Sequence, residues 1–103
     1  MKSIYLFIVF VLLLTFNSFG QRRYPEKEVT MDHDTMFLKK DMHKISGIVY
    51  NEHGELGVFK DGLREGIHKE WFRNGNLKDE ISYSNGLKDG EFRYWDDKGQ
   101  LLK

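Results

Sequence analysis

GLREGIHKEWFRNGNLKD at residues 62–79 and GLKDGEFRYWDDKGQLLK at residues 86–103 are the two stretches whose comparison decides the fold. Laid over one another they agree at Gly62/Gly86, Leu63/Leu87, Gly66/Gly90, Trp71/Trp95, Gly75/Gly99 and Leu77/Leu101, always 24 residues apart. Arg64/Lys88, Glu65/Asp89 and Lys69/Arg93 keep their charge at the same spacing. Self-similarity at a fixed period of this size is the mark of a repeat architecture, in which each unit buries its apolar surface against the next. A shorter first copy runs through Gly47, Tyr50, Gly54, Leu56, Phe59 and Gly62.

Glycines punctuate every copy. Asp61-Gly62, Asn74-Gly75, Asn85-Gly86 and Asp89-Gly90 are pairs that tolerate the positive φ of tight hairpin turns, and Gly47, Gly54, Gly66 and Gly99 fall into the same punctuating set. Between them, Ile67 to Phe72, Lys78 to Ser84 and Glu91 to Trp95 are rich in aromatic and β-branched residues, long enough for strands and too short for ordinary helices. The reading is an all-β fold, an open single-layer antiparallel ribbon of repeated β-hairpins. Alternation puts Ile67, Lys69 and Trp71 on one face of their strand, and Leu77, Asp79, Ile81 and Tyr83 on one face of the next. Gly57 has no counterpart in the register and is expected to tolerate substitution better than Gly75. The ribbon occupies residues 35–103, with a degenerate N-terminal cap. In that cap Thr35 to Lys39 and Lys44 to Tyr50 pair across Lys40-Asp41, or residues 31–46 form a short helix. Residues 21–34, charged and poor in apolar groups, read as a flexible lead.

The first 20 residues have a different character. Lys2 is a positive n-region, Ile4 to Phe16 an apolar run, and Ser18-Phe19-Gly20 a small-residue cleavage signature, so the expectation is a signal peptide cut between Gly20 and Gln21. Ile4 to Phe16 is only 13 residues, short of the roughly 20 that span a bilayer as a helix. This favours transient membrane contact during export over a retained anchor. The expected destination is the periplasm or the outside of the cell.

Composition removes several chemistries. There is no Cys, so neither disulfides nor thiolate nucleophiles are available. With 16 basic and 16 acidic residues of mixed order, no basic track for nucleic acid exists. His33, His43, His53 and His68 have no i, i+2 or i, i+4 pairing that would converge on a metal ion. They read as solvated turn histidines. The Gly62–Gly66 and Gly86–Gly90 segments lack the Lys-Ser/Thr of a phosphate loop, and no serine sits in a G-x-S-x-G elbow. Neither a metal, a cofactor nor a catalytic constellation is expected. Trp71, Tyr83, Tyr94 and Trp95 are the candidate binding residues, a stacking platform of rings with polar handles, against the alternative that they pack between units.

Gly66-Ile67-His68-Lys69-Glu70-Trp71-Phe72-Arg73-Asn74-Gly75-Asn76-Leu77-Lys78, followed by Tyr83-Ser84-Asn85-Gly86 and Lys88-Asp89-Gly90, resembles the bacterial variant of the MORN repeat over residues 47–103. The resemblance implies a curved ribbon of hairpins, found in exported proteins and in proteins labelled antitoxin components. A repeat is not a reaction, so it implies no activity. Three classes follow: a non-catalytic exported module binding a protein or an envelope component, an antitoxin or immunity protein masking a toxin, and a small hydrolase. The first is expected.

Overall fold

The computed structural model describes residues 22–103. The expected signal peptide and its Gly20/Gln21 junction lie outside the described residues. Among the described residues eight strands follow one another: β1 (Arg23–Pro25), β2 (Val29–Asp32), β3 (Thr35–Leu38), β4 (Gly47–Asn51), β5 (Gly54–Lys60), β6 (Leu63–Trp71), β7 (Leu77–Ser84) and β8 (Leu87–Tyr94). A single 3-10 turn, Glu26–Glu28, separates β1 from β2. Six strands form one open sheet in the order β1-β4-β5-β6-β7-β8, and β2 and β3 form a separate two-stranded sheet.

From β4 to β8 each strand is antiparallel to its sequence neighbour. Turn chemistry accounts for this. Asp61 and Gly62 have φ of 49° and 80°, and Asn85 and Gly86 have 50° and 83°. Positive φ at both central positions is the two-residue hairpin turn whose twist matches that of the strands it joins. The β6–β7 connection is longer. There the Gly75 amide donates to the Phe72 carbonyl at 2.9 Å and the Phe72 amide to the Asn76 carbonyl at 2.8 Å. The same two bonds recur as Gly99 to Asp96 and Asp96 to Gln100, at 3.1 and 2.9 Å. These loops touch: the Asn74 and Asn76 side-chain amides donate to the Asp97 carbonyl at 2.8 and 2.9 Å.

The structure departs from the sequence reading in three places. Residues 22–34 form no free lead: β1 adds to the sheet in parallel with β4, pairing Arg23 with Ile48 and Tyr24 with Val49. The Ile48 amide donates to the Arg22 carbonyl at 2.7 Å, and Arg23 is anchored by Glu55 at 2.9 Å and the Tyr50 ring at 5.1 Å. The sheet is therefore mixed. Nothing local announces a three-residue strand ending in Pro25, since its partner lies more than twenty residues away; at a sheet edge proline is tolerated because one side of the strand needs no amide.

Second, β3 is a strand, but its main partner is β2, across a His33-Asp34 turn with φ of 48° and 64°. The expected return survives only as the Phe37–Lys44 bridge and the Ile45 amide bond to Met36, 3.2 Å. Third, the ribbon is not a single layer throughout. The β2–β3 hairpin folds over one face, and Val29, Ile45, Val49 and Phe59 close into the core beneath it, with Tyr24, Met31, Met36, Leu38 and Leu56 around them. Ile45 and Val49 are fully buried. Polar-looking residues near the N-terminus thus contribute the apolar groups, Val29 and three methionine or leucine side chains, that a bare sheet would lack. The hairpin is secured where the Met36 amide meets the Gly62 carbonyl, 2.8 Å. A Cβ at Gly62 would stand 2.5 Å from the Thr35 methyl carbon, so glycine serves the close approach of β3 as well as the turn.

Candidate functional site

Beyond the rim of the β2–β3 hairpin the same sheet face stays open. It forms a groove of about 430 Å³ that Met36 and Leu56 bound on the hairpin side, and Trp71, Asp79, Ile81 and Tyr83 on the other.

Register explains the composition of that face. His68 pairs with Ile81 and Glu70 with Asp79, and then the ladder slips so that Trp71 pairs with Leu77. Paired residues share a face, so His68 and Glu70 point into the groove, whereas Ile67 pairs with Ser82 on the opposite face and is more than half exposed. Uniform alternation along β6, which groups Trp71 with Ile67 and Lys69, fails at this bulge. The extra residue, Lys78 on β7, sets Trp71 opposite Leu77, and Trp71 lines the groove with Asp79, Ile81 and Tyr83.

His68 is the centre of the packing. Its Nε2–H donates to the Val58 carbonyl at 2.6 Å, and its ring is edge-on to Phe59 at 4.9 Å and to Tyr83 at 5.4 Å. The ring lies directly over Gly57, where a Cβ would come within 2.6 Å of three of its atoms. Burial holds the His68 pKa below its ordinary 6.5. The Val58 carbonyl opposes the shift, the nearby Arg64 charge adds to it, and the Glu65 carbonyl opposes it. His68 is accordingly a neutral core group at pH 7. Of the four histidines expected in solvated turns, His33 and His43 are exposed, His53 is largely covered in the β4–β5 turn, and His68 is buried within a strand.

Asp79 is the other buried ionisable group, 6% exposed. It stands on β7 between Glu70 of β6 and Tyr94 of β8. Burial pushes its carboxyl above the usual 3.8, and the Glu70 charge pushes further. Lys78, the Glu70 backbone and Lys88 pull the other way without restoring it.

The four rings expected to form one platform are divided. Trp71 and Tyr83 line the groove. Trp71 is also a packing residue: it covers Gly54, and its indole N–H reaches the Glu55 carbonyl at 3.4 Å. Tyr83 carries the Arg64 guanidinium on its face at 5.1 Å. Tyr94 leans on Phe92 at 5.7 Å, and Trp95 closes the last hairpin opposite Leu101; neither lines the groove. The punctuating glycines also separate by role. Gly62, Gly75, Gly86 and Gly99 sit in connections, while Gly47 and Gly54 open strands and Gly66 and Gly90 lie inside them. Gly57, set aside in the sequence reading, has φ of 149° and the closest ring contact of all.

His68, Glu70 and Asp79 were missed as site residues. The signal for Asp79 was present in the row Leu77, Asp79, Ile81, Tyr83, where one acid interrupts an apolar face. For His68 there was none, because Gly57 beneath it on the neighbouring strand decides where its ring goes. Among the described residues no group of three or more His, Asp or Glu side chains is placed to hold a metal ion.

No family model, curated protein or solved structure matches the chain.

Proposed function

We propose that this chain is a non-catalytic exported module of repeated hairpins that binds a protein or envelope component in the groove of its sheet. The observation that carries the reading is the open groove itself, lined by the half-buried rings of Trp71 and Tyr83. Pockets of this size with a few convergent polar groups are the usual form of a binding site. The imidazole beside it is committed to the Val58 carbonyl, an arrangement suited to holding a sheet together rather than to activating a nucleophile.

A repeat of the variant MORN type is supported by backbone angles that agree at the 24-residue spacing: 49° and 50° at Asp61 and Asn85, 80° and 83° at Gly62 and Gly86, 92° and 91° at Gly75 and Gly99. Export rests on the N-terminal sequence alone, and intact-mass analysis of the periplasmic or secreted fraction tests it; a chain starting at Gln21 is expected.

Binding is tested by affinity capture from an envelope extract with the parent, a groove variant (Tyr83→Ala) and a control on the opposite face (Ile67→Ser), each checked by circular dichroism. A partner held by the parent and the control but lost by the folded groove variant is expected. Equal capture by all three would remove the groove from the reading.

A further inference from the structure

Resting on the groove reading, we infer that the groove receives a cationic side chain, a lysine or arginine from an extended segment of a partner protein, whose charged head meets the Asp79 carboxylate.

Asp79 is 6% exposed as a residue, with the Glu70 backbone as a polar neighbour of its carboxyl, yet among the described residues no Lys, Arg or His nitrogen comes within 4.0 Å of it. No buried oxygen is left orphaned among the described residues, but keeping an acid buried without an ionic partner is costly, and a fold that needed only packing at this position would be served better by an apolar residue. Two of the nearby cations are engaged elsewhere: the Lys78 ammonium lies 3.9 Å from the Glu70 carboxylate and over the Phe72 ring at 5.8 Å, and the Arg64 guanidinium rests on Tyr83 and 3.9 Å from Asp34; Lys69 and Lys88 stand farther than 4.0 Å from the carboxylate. The opening that Asp79 faces is the groove, since the residue is part of its wall.

Three features choose the occupant. Glu70 and Glu26 line the same groove, so its acids outnumber the Arg64 and Lys69 cations. The Trp71 ring offers a face to a cation and to the methylene stem that carries it. The groove is also larger than one side chain fills, which leaves room for the flanking backbone of a peptide. A divalent metal is a poorer match, because no third ligating side chain converges there among the described residues. A cation on Asp79 would supply the charge partner that the fold omits, and would oppose the repulsion from Glu70.

The test uses blocked pentapeptides of glycine and serine with a central lysine, arginine, norleucine or glutamate, titrated into labelled protein while the Trp71 indole N–H and the Ile81 amide are followed by NMR. Norleucine keeps the stem of lysine and removes its charge. The lysine and arginine peptides are expected to bind at least about tenfold more tightly than the norleucine peptide, the worth of one charge-assisted contact. In Asp79→Asn that difference is expected to vanish, while the folded spectrum persists. Equal affinity of the lysine and norleucine peptides would overturn the inference and leave the groove reading standing. A lysine preference that survives in Asp79→Asn would overturn the assignment to this residue. Absence of shifts with all four peptides would overturn the inference as well, with the groove reading then decided by the capture experiment on the Tyr83 and Ile67 variants. The peptide comparison on the parent protein needs no variant, so misfolding of Asp79→Asn cannot shelter the claim.

Discussion

Replacing Gly57 by alanine puts one carbon where the structure has least room for it. The ideal Cβ would stand 2.6 Å from Cγ, Cδ2 and Nδ1 of His68, about an ångström inside ordinary carbon contact. The ring cannot swing away cheaply, because it is tied to the Val58 carbonyl at 2.6 Å and wedged between Phe59 and Tyr83. Overpacking of this kind costs about 1 to 3 kcal/mol, and a non-glycine residue at φ of 149° adds about 1 kcal/mol or more. A loss of about 3 kcal/mol is expected. A domain of this size holds roughly 4 to 12 kcal/mol, so the variant should still fold and its urea midpoint be measurable. Gly75 is the instructive contrast: its φ of 92° is equally foreign to alanine, but a Cβ there meets only His53 Nδ1 at 3.7 Å. Gly75→Ala should therefore lose about 1 to 2 kcal/mol, from backbone strain alone. This ordering reverses the one drawn from the 24-residue register. A double-mutant cycle isolates the ring contact, since Gly57→Ala should cost at least about 1 kcal/mol less when His68 is already alanine. An unchanged urea midpoint for Gly57→Ala, or the same cost in both backgrounds, would refute the reasoning.

Three further outcomes are expected. Because the His68 pKa is lowered, the unfolded chain binds the extra proton first, so stability is full above the unfolded value of 6.5 and declines as pH falls from there toward the folded value; melts from about pH 8 to about pH 5 should show this slope, flattened in His68→Phe. Asp79 has the opposite sign: its raised carboxyl pKa makes the native state the better proton acceptor just above 3.8, so stability falls as pH rises through that window, and Asp79→Asn should melt at or above the parent temperature at neutral pH. A clear loss of stability in that variant would mean that the charge is structurally required. Trp71→Ala should cost about 2 to 3 kcal/mol, less than a fully buried tryptophan, because the ring is half-exposed where it covers Gly54. Trp95→Ala, in a hairpin with no strand beyond it among the described residues, should lose less in urea unfolding; equal losses would count against this difference in packing.

Local chemistry placed the last three strands at residues 67–72, 78–84 and 91–95 but missed that residues 63–66 and 87–90, read as turn segments, are the opening residues of β6 and β8. Asp61-Gly62 and Asn85-Gly86 permit positive φ at both turn positions, and the runs between them are too short and too rich in aromatic and β-branched residues for helices. Alternation also set Asp79 among Leu77, Ile81 and Tyr83, one face shared by an acid and three apolar neighbours. Long-range packing decided the rest. Arg23–Pro25 becomes a strand because β4 offers an unpaired edge, and Val29 and Met31 of the expected lead, with Met36 of the cap, pack inward because the sheet face needs cover. The turn of Trp71 onto the groove side depends on a one-residue slip against β7, and the burial of His68 depends on Gly57 lying beneath it on β5. Neither has a local signature. A one-residue shift reverses every side chain beyond it at almost no cost in backbone hydrogen bonds, so it is selected by the neighbours each face then meets, and these are known only once the strands are together.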